Sequence, residues 1–326
     1  MPQASALSAH LDAGLRAAPA DATLAILFPG QGSHQVGAGR DLYDSFPLAR
    51  EVFQRCDEAL SLPLSEICFR GPEETLRDTA NAQPAILAVS LACLAAGLES
   101  GALQRRPAFM AGHSLGEFTA LVAAGALDLE DAISLVATRG HLMAEACLRQ
   151  PGTMAAIIGL DDESVDDVCR RSGAQPCNYN SPSQAVVGGS LVAVEEASRL
   201  ASERGGRAVP LNVSGAFHTS LMAPAAEEFA AAVDVCPMSD PSIPVVANST
   251  AQPLATAAAV RQELREQIIR PVLWHQSVLG MISAGVTSFI ETGPGRVLSG
   301  LMKRVGNGLS AVSLDSVDSL DAVRHV

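Results

Sequence analysis

The chain has 326 residues, of which 48% are hydrophobic and 17% charged, and carries a formal charge of −13 at pH 7. That length suits one large domain with a smaller companion, and the apolar runs are broken by Gly, Pro and charges short of a spanning length, so a soluble globular protein is expected rather than a membrane or disordered one. Acidity with a single lysine, Lys303, repels polyphosphate backbones, and 4% aromatic residues offer few stacking platforms, which argues against nucleic acid as a partner.

Residues 1–22 are alanine-rich, and Asp12 and Arg16 interrupt their apolar stretches before a signal-peptide core could form, so a flexible leader is expected. A strand over 24–28 follows, then a Gly-rich turn over 29–33 and helices over 46–60, 72–78 and 82–100. A short strand over 108–112 runs into a helix over 114–126, and a further helix covers 130–147. Such alternation predicts an α/β fold with a mainly parallel sheet covered on both faces. Between 152 and 213 the order becomes strand 153–160, helix 161–171, strands 175–179 and 184–188, helix 192–203 and strand 207–213. That βαββαβ order is a ferredoxin-like unit, expected as a subdomain over 151–214 inserted in a large domain of 23–150 and 215–326. The remainder predicts helix 221–233, strand 243–247, helices 257–267 and 273–284, strand 288–292 and helix 296–305. The seven cysteines (Cys56, Cys68, Cys93, Cys147, Cys169, Cys177 and Cys236) include no C-x-x-C pair, which fits reduced thiols of a cytoplasmic protein. No His, Cys and acid cluster has metal-ligand spacing.

The strongest local signal is Gly112-His113-Ser114-Leu115-Gly116. It lies between an apolar strand and an apolar helix, where a G-x-S-x-G turn presents its serine at the carboxyl end of the strand. A side chain at either glycine would collide with strand or helix, and the helix N-terminus favours developing negative charge. The competing reading is a tight turn with a capping serine. A serine nucleophile needs a base. His10 and His325 lie near the ends, His141 and His275 within helical patterns, and His34 after the first Gly-rich turn. His218, in Ser214-Gly215-Ala216-Phe217-His218-Thr219-Ser220, sits on a turn at the subdomain junction, where clefts form, and is the candidate; a structural histidine is the alternative.

Phe28-Pro29-Gly30-Gln31-Gly32-Ser33 ends the first strand with glycines that let backbone N–H groups point at a ligand, as an oxyanion hole or a phosphate nest requires. It lacks the Lys-Ser/Thr ending of a P-loop and the third glycine of a dinucleotide fingerprint. Arg139 shares a helix face with Leu135, Val136, Leu142, Met143 and Ala146, so its guanidinium is expected to be buried. It then wants a carboxylate, either an internal acid such as Glu117 or one on a substrate. His113 reads as turn packing rather than a metal ligand.

Together FPGQGS (28–33), AQPA (82–85), AGHSLGE (111–117), TRG (138–140), AAIIGL (155–160), NSP (180–182), GAFH (215–218) and ETGPGRVL (291–298) resemble the malonyl-CoA:acyl carrier protein transacylases, in order and with comparable spacing. These comprise free-standing fatty-acid enzymes and the acyltransferase domains of polyketide synthases. The resemblance implies an α/β-hydrolase-like large domain with an inserted ferredoxin-like subdomain. By position it implies Ser114 as nucleophile, His218 as base, the Gln31 and Leu115 amides as oxyanion hole, and Arg139 as the clamp on the substrate's free carboxylate. Gln83, Phe217 and His113 are placed at the substrate. The histidine is expected to be oriented by main-chain carbonyls near Leu273, where relatives often carry a glutamine, and His34 likewise replaces a frequent glutamine.

The implied reaction is ping-pong: malonyl passes from coenzyme A to Ser114 and then to the phosphopantetheine thiol of an acyl carrier protein, with no metal or redox cofactor. Phe217 before His218 resembles malonyl-selective polyketide acyltransferases, which implies a discrete, monomeric enzyme acting in trans on a polyketide assembly line. An acyl hydrolase that clears stalled chains is the runner-up, although it would have little use for Arg139. A non-catalytic docking module is the alternative from another class.

Overall fold

In the computed structural model, which describes residues 6–306 and 308–326, the apolar run ending at Phe28 is an inner strand of a six-stranded sheet. The strands are β1 Ala20–Phe28, β2 Arg106–Gly112, β3 Thr153–Ile158, β4 Gln175–Ser181, β5 Gln184–Gly189, β6 Arg207–Pro210, β7 Val245–Val246, β8 Pro253–Leu254, β9 Ser288–Thr292 and β10 Ala311–Leu314. The larger sheet has the order β10-β9-β1-β2-β7-β8. Every pairing in it is parallel except β7 with β8. The last five residues of β1 are all buried, as a strand covered on both faces requires.

The smaller sheet is antiparallel in the order β4-β5-β3-β6. Counted within the βαββαβ unit, this is second-third-first-fourth, the ferredoxin-like order that the sequence predicts. Its helices, Asp162–Ser172 and Leu191–Glu203, begin where Asp161 and Ser190 accept the Ser164 and Ala193 amides. Val165, Val168, Ala197 and Leu200 from these helices close over Ile157, Tyr179 and Val187. The free edge of β4 is tied to the large domain: the Tyr179 N–H donates to the Val272 carbonyl at 2.9 Å, and the Val272 N–H to the Cys177 carbonyl at 2.8 Å. That seam fixes the segment after Gln267, which supports the candidate site.

Three expectations change. The alanine-rich segment is not a loose leader over its described part: Ala6–Ala17 is a helix whose Leu7, Leu11 and Leu15 are buried in the main core, and β1 starts at Ala20. Those leucines recur every four residues, which is one helical stripe. Asp12 does not interrupt it, because its carboxylate accepts from Ser242 Oγ and pairs with Arg16. The leader expected over 1–5 lies outside the described residues.

Second, the helix Thr79–Glu99 is long and apolar enough by length and composition to cross a membrane, contrary to the expectation that no run reaches such a length; 89% of its apolar window is buried inside the protein. It is a core helix. Third, the helices Arg40–Ser45, Leu64–Arg70 and Leu320–Arg324 and the strands β8 and β10 were not expected. Each is at most seven residues long, too short for periodicity to reveal. All seven cysteines are unpaired and buried.

Candidate active site

Strands β1 and β2 end side by side, Phe28 opposite Gly112, so the two Gly-rich turns that follow them meet. They meet closely. A Cβ on Gly30 would stand 2.3 Å from the His113 carbonyl oxygen, and one on Gly116 would stand 2.1 Å from that of Phe28. Only glycine permits this approach, which brings the N-terminus of the helix Gly116–Ala123 beneath the turn. Ser114 sits at its apex with left-handed backbone, φ 52°.

His218 reaches it from the subdomain junction. Its Nε2 lies 2.8 Å from Ser114 Oγ, and its Nδ1 lies 2.9 Å from the Gln267 carbonyl and 3.0 Å from that of Arg270. Carbonyl oxygens only accept, so Nδ1 carries the proton and Nε2 is left to accept from the serine hydroxyl. His218 is 4% exposed. Burial first, and then the positive charge of Arg139, pull its pKa down from the ordinary 6.5 to about 3, so the imidazole is neutral near pH 7. The orienting carbonyls expected near Leu273 are those of Gln267 and Arg270. Leu273 starts the next helix, and its carbonyl accepts from the Ser277 amide at 3.0 Å.

Arg139 is buried as its helix face predicts, 1% exposed. It makes no ion pair among the described residues: Nη1 donates to Gln83 Oε1 at 2.6 Å, and Nη2 donates to Gln267 Oε1 at 3.0 Å and Ser114 Oγ at 3.1 Å. Its Nε is buried without a partner, and the guanidinium lies 5.7 Å above the Phe118 ring. Desolvation lowers its pKa to about 10, which still leaves it charged near neutrality. The expected alternative, a pair with Glu117, is not formed. Glu117 instead accepts from the Asn248 amide at 2.9 Å and from Gln267 Nε2.

The Gln31 and Leu115 amides stand on the two touching turns, and among the described residues no acceptor takes either N–H. The Ser114 amide is occupied, donating to Asn248 Oδ1 at 2.6 Å. The Gln31 side chain donates to Thr79 Oγ1 at 3.4 Å. Gln83 is fully buried beside Arg139, and Phe217 packs into the main core. His113 turns away from the serine: its Nε2 meets Asn180 Oδ1 of β4 at 2.9 Å, and its ring lies 5.4 Å from that of Trp274. His34 lines a small cavity with Ala38, Cys68, Leu76 and Ile86, which neither Ser114 nor His218 borders.

Two residues escaped the sequence reading. Asn248 accepts the Ser114 amide and also donates to the Gly112 carbonyl at 2.7 Å, bracing the turn on both sides. Gln267 touches Arg139, Glu117, His218 and the Ser114 carbonyl. A signal existed for Gln267: with Val260, Glu263, Leu264 and Ile268 it falls on one buried helical stripe, so two polar groups stood at core positions.

The family model of the acyl transferase domain matches residues 26–314. The malonyl CoA-acyl carrier protein transacylase of Bacillus subtilis is 44% identical over 91% of this chain and 95% of its own, and that of Escherichia coli is 41% identical over 91% and 97%. Among solved structures, a malonyl-transacylase in complex with its type II PKS acyl-carrier protein superposes with a TM-score of 0.88 at 40% identity, covering 93% of this chain and 99% of that one. The acyl carrier protein S-malonyltransferase of Vibrio cholerae gives 0.89 at 41% identity over 92% and 99%. The fold is thus shared almost end to end with these enzymes, and the chain belongs to the malonyl CoA-acyl carrier protein transacylase family.

Proposed function

We propose that the protein moves a malonyl group from coenzyme A, through an ester on Ser114, to the phosphopantetheine thiol of an acyl carrier protein. One observation carries the choice of a diacid: Arg139 is a buried cation with no carboxylate partner among the described residues, and one edge of it meets Ser114 Oγ. A free carboxylate on the acyl group supplies the missing counter-charge and holds the thioester carbon at the nucleophile.

In this reading His218 Nε2 takes the Ser114 hydroxyl proton as Oγ attacks the thioester carbon. The Gln31 and Leu115 amides hold the oxyanion. As it collapses the C–S bond breaks, and His218 returns the proton to the departing coenzyme A sulfur. The carrier's thiol then gives its proton to His218 and attacks the ester carbon. The C–O bond breaks, and Ser114 recovers its proton. Each step exchanges an acyl group and a proton, so the chemistry calls for neither metal nor redox group. Gln83 orients Arg139 through Nη1, and His113 holds the nucleophile turn to the subdomain through Asn180.

The buried, unpaired cysteines suit a reducing compartment, the cytoplasm. Service to a polyketide assembly line in trans rests on Phe217 within the GAFH segment and on the likeness to the type II PKS complex. The deciding experiment is intact-mass analysis after incubation with a panel of acyl-CoAs, followed by addition of fatty-acid and polyketide carrier proteins. A malonyl adduct on the wild type, absent from Ser114→Ala and discharged by a carrier protein, is expected. An adduct that persists on the alanine variant overturns the assignment, and discharge to water instead of a carrier points to a hydrolase.

A further inference from the structure

Glu117 touches none of the reacting atoms, yet the supports of the site converge on it. Its Oε1 accepts the Asn248 amide at 2.9 Å, and Asn248 Oδ1 accepts the Ser114 amide at 2.6 Å. Its Oε2 accepts from Gln267 Nε2, which also donates to the Ser114 carbonyl at 2.9 Å. With that NH2 group committed, Gln267 turns its Oε1 to Arg139 Nη2 at 3.0 Å. A guanidinium only donates and a backbone carbonyl only accepts, so the Gln267 amide satisfies Arg139, the Ser114 carbonyl and the Glu117 oxygen beside its NH2 in one orientation alone. The neutral amide passes that orientation on without cancelling the charge of Arg139, as a direct ion pair with Glu117 would.

We propose that Glu117 is a positioning residue for diacid selectivity, fixing the side-chain amide of Gln267 so that Arg139 is held at Ser114 while its charge stays available to a substrate carboxylate. This rests on the malonyl-transfer reading above. Replacement by glutamine exposes the dependence. A glutamine at 117 offers one oxygen and one NH2 group to two donors. The Asn248 amide is backbone and cannot turn, so the new side chain gives its oxygen to that N–H and its NH2 to Gln267. The Gln267 amide then either keeps its NH2 facing another NH2 or turns over, which sets its NH2 against Arg139 and its oxygen against the Ser114 carbonyl; both outcomes loosen its hold on Arg139.

The test compares kcat/KM for malonyl-CoA and acetyl-CoA in wild type, Glu117→Gln, Gln267→Leu and the double variant, with melting temperatures alongside. Leucine at 267 keeps the backbone carbonyl that orients His218. Glu117→Gln is expected to lower the malonyl-to-acetyl ratio about tenfold or more, the scale of one charge-assisted hydrogen bond. In the Gln267→Leu background the same substitution is expected to leave the ratio unchanged, because the relay is already cut. A wild-type ratio in Glu117→Gln, or an equal fall for both substrates, overturns the proposal and leaves Glu117 a structural residue. If Glu117→Gln does not fold, Gln267→Leu decides: a wild-type ratio there overturns the relay. A wild type that takes up no malonyl group overturns the functional reading along with it, whereas a selective wild type with an equally selective Glu117→Gln removes only the role of Glu117.

Discussion

Ser114 and His218 both hold left-handed backbone, at φ 52° and 60°, and their side chains meet 2.8 Å apart. For residues with a Cβ this conformation costs about 1 kcal/mol or more each, and it persists because the surroundings determine it. Asn248 braces the serine from both sides, and the carbonyls of Gln267 and Arg270 hold the imidazole. Ser61 and Ala251 hold the same conformation, but at Ser114 and His218 it turns the two side chains assigned to the chemistry toward each other.

The depressed pKa of His218 predicts the pH profile. Because the folded imidazole stays neutral down to about pH 3, acylation is expected to keep its plateau through pH 6.5, with the acid limb well below that value. Arg139 contributes to the depression, so Arg139→Gln is expected to move the limb upward. The sign for stability is the same: below pH 6.5 the unfolded chain binds a proton that the folded histidine refuses, so stability is present above that pH and falls on acidification. Stopped-flow acylation against pH checks this, and an acid limb at 6.5 in the wild type contradicts it. His218→Ala is expected to lower acylation about 10²- to 10⁴-fold at every pH.

Arg139→Ala is expected to cost malonyl-CoA about 2 to 5 kcal/mol of recognition, the scale for removing one partner of a buried charge pair. Acetyl-CoA has no carboxylate to lose and is expected to be spared. The same change leaves Gln83 and Gln267 each without a donor, so a lower melting temperature accompanies it. Rates that fall equally for both substrates would make Arg139 a structural residue.

The parts of this site that announce themselves in sequence are those fixed by local geometry. Ser114 needs flanking glycines, and a buried Arg139 follows from helical periodicity alone. Asn248 and Gln267 are invisible in that way, because their importance comes from pairing across 134 and 153 residues with the Ser114 backbone. The same limit explains the orienting carbonyls. Which backbone oxygen faces His218 depends on how β4 pins Val272, a tertiary fact. The helix Ala6–Ala17 was legible in its four-residue leucine spacing, but alanine content and two charges obscured it.

That helix supplies a stability test. Leu11 is fully buried, so Leu11→Ala is expected to destabilise the protein by about 2 to 5 kcal/mol, the range for emptying a core leucine site. Leu148, at 83% exposure, is the control, and its alanine variant is expected to change stability by less than about 0.5 kcal/mol. Denaturant unfolding of both variants gives the comparison. Equal midpoints would mean that the N-terminal helix is not part of the cooperative core.

Selectivity beside the substrate's C2 is the remaining test, and it falls on Phe217. The ring is 6% exposed and packs in the main core while its own backbone leads directly into His218. If Phe217 borders the acyl group, as the family resemblance implies, its bulk leaves little room for the extra methyl of methylmalonyl-CoA, and packing discriminates one methyl by about 1 to 3 kcal/mol. Malonyl is therefore expected to be preferred strongly but not absolutely. Phe217→Ser should raise methylmalonyl loading relative to malonyl, though emptying this position also costs stability, about 3 to 5 kcal/mol by analogy with Phe→Ala in cores. Phe217→Leu separates the two effects: it keeps most of the packing, and a partial shift of the ratio is expected. The measurement is kcat/KM for both acyl-CoAs in all three proteins, at a temperature where each is folded. A constant ratio across the series would show that Phe217 only supports the core and the His218 turn, with selectivity residing in other residues around Ser114.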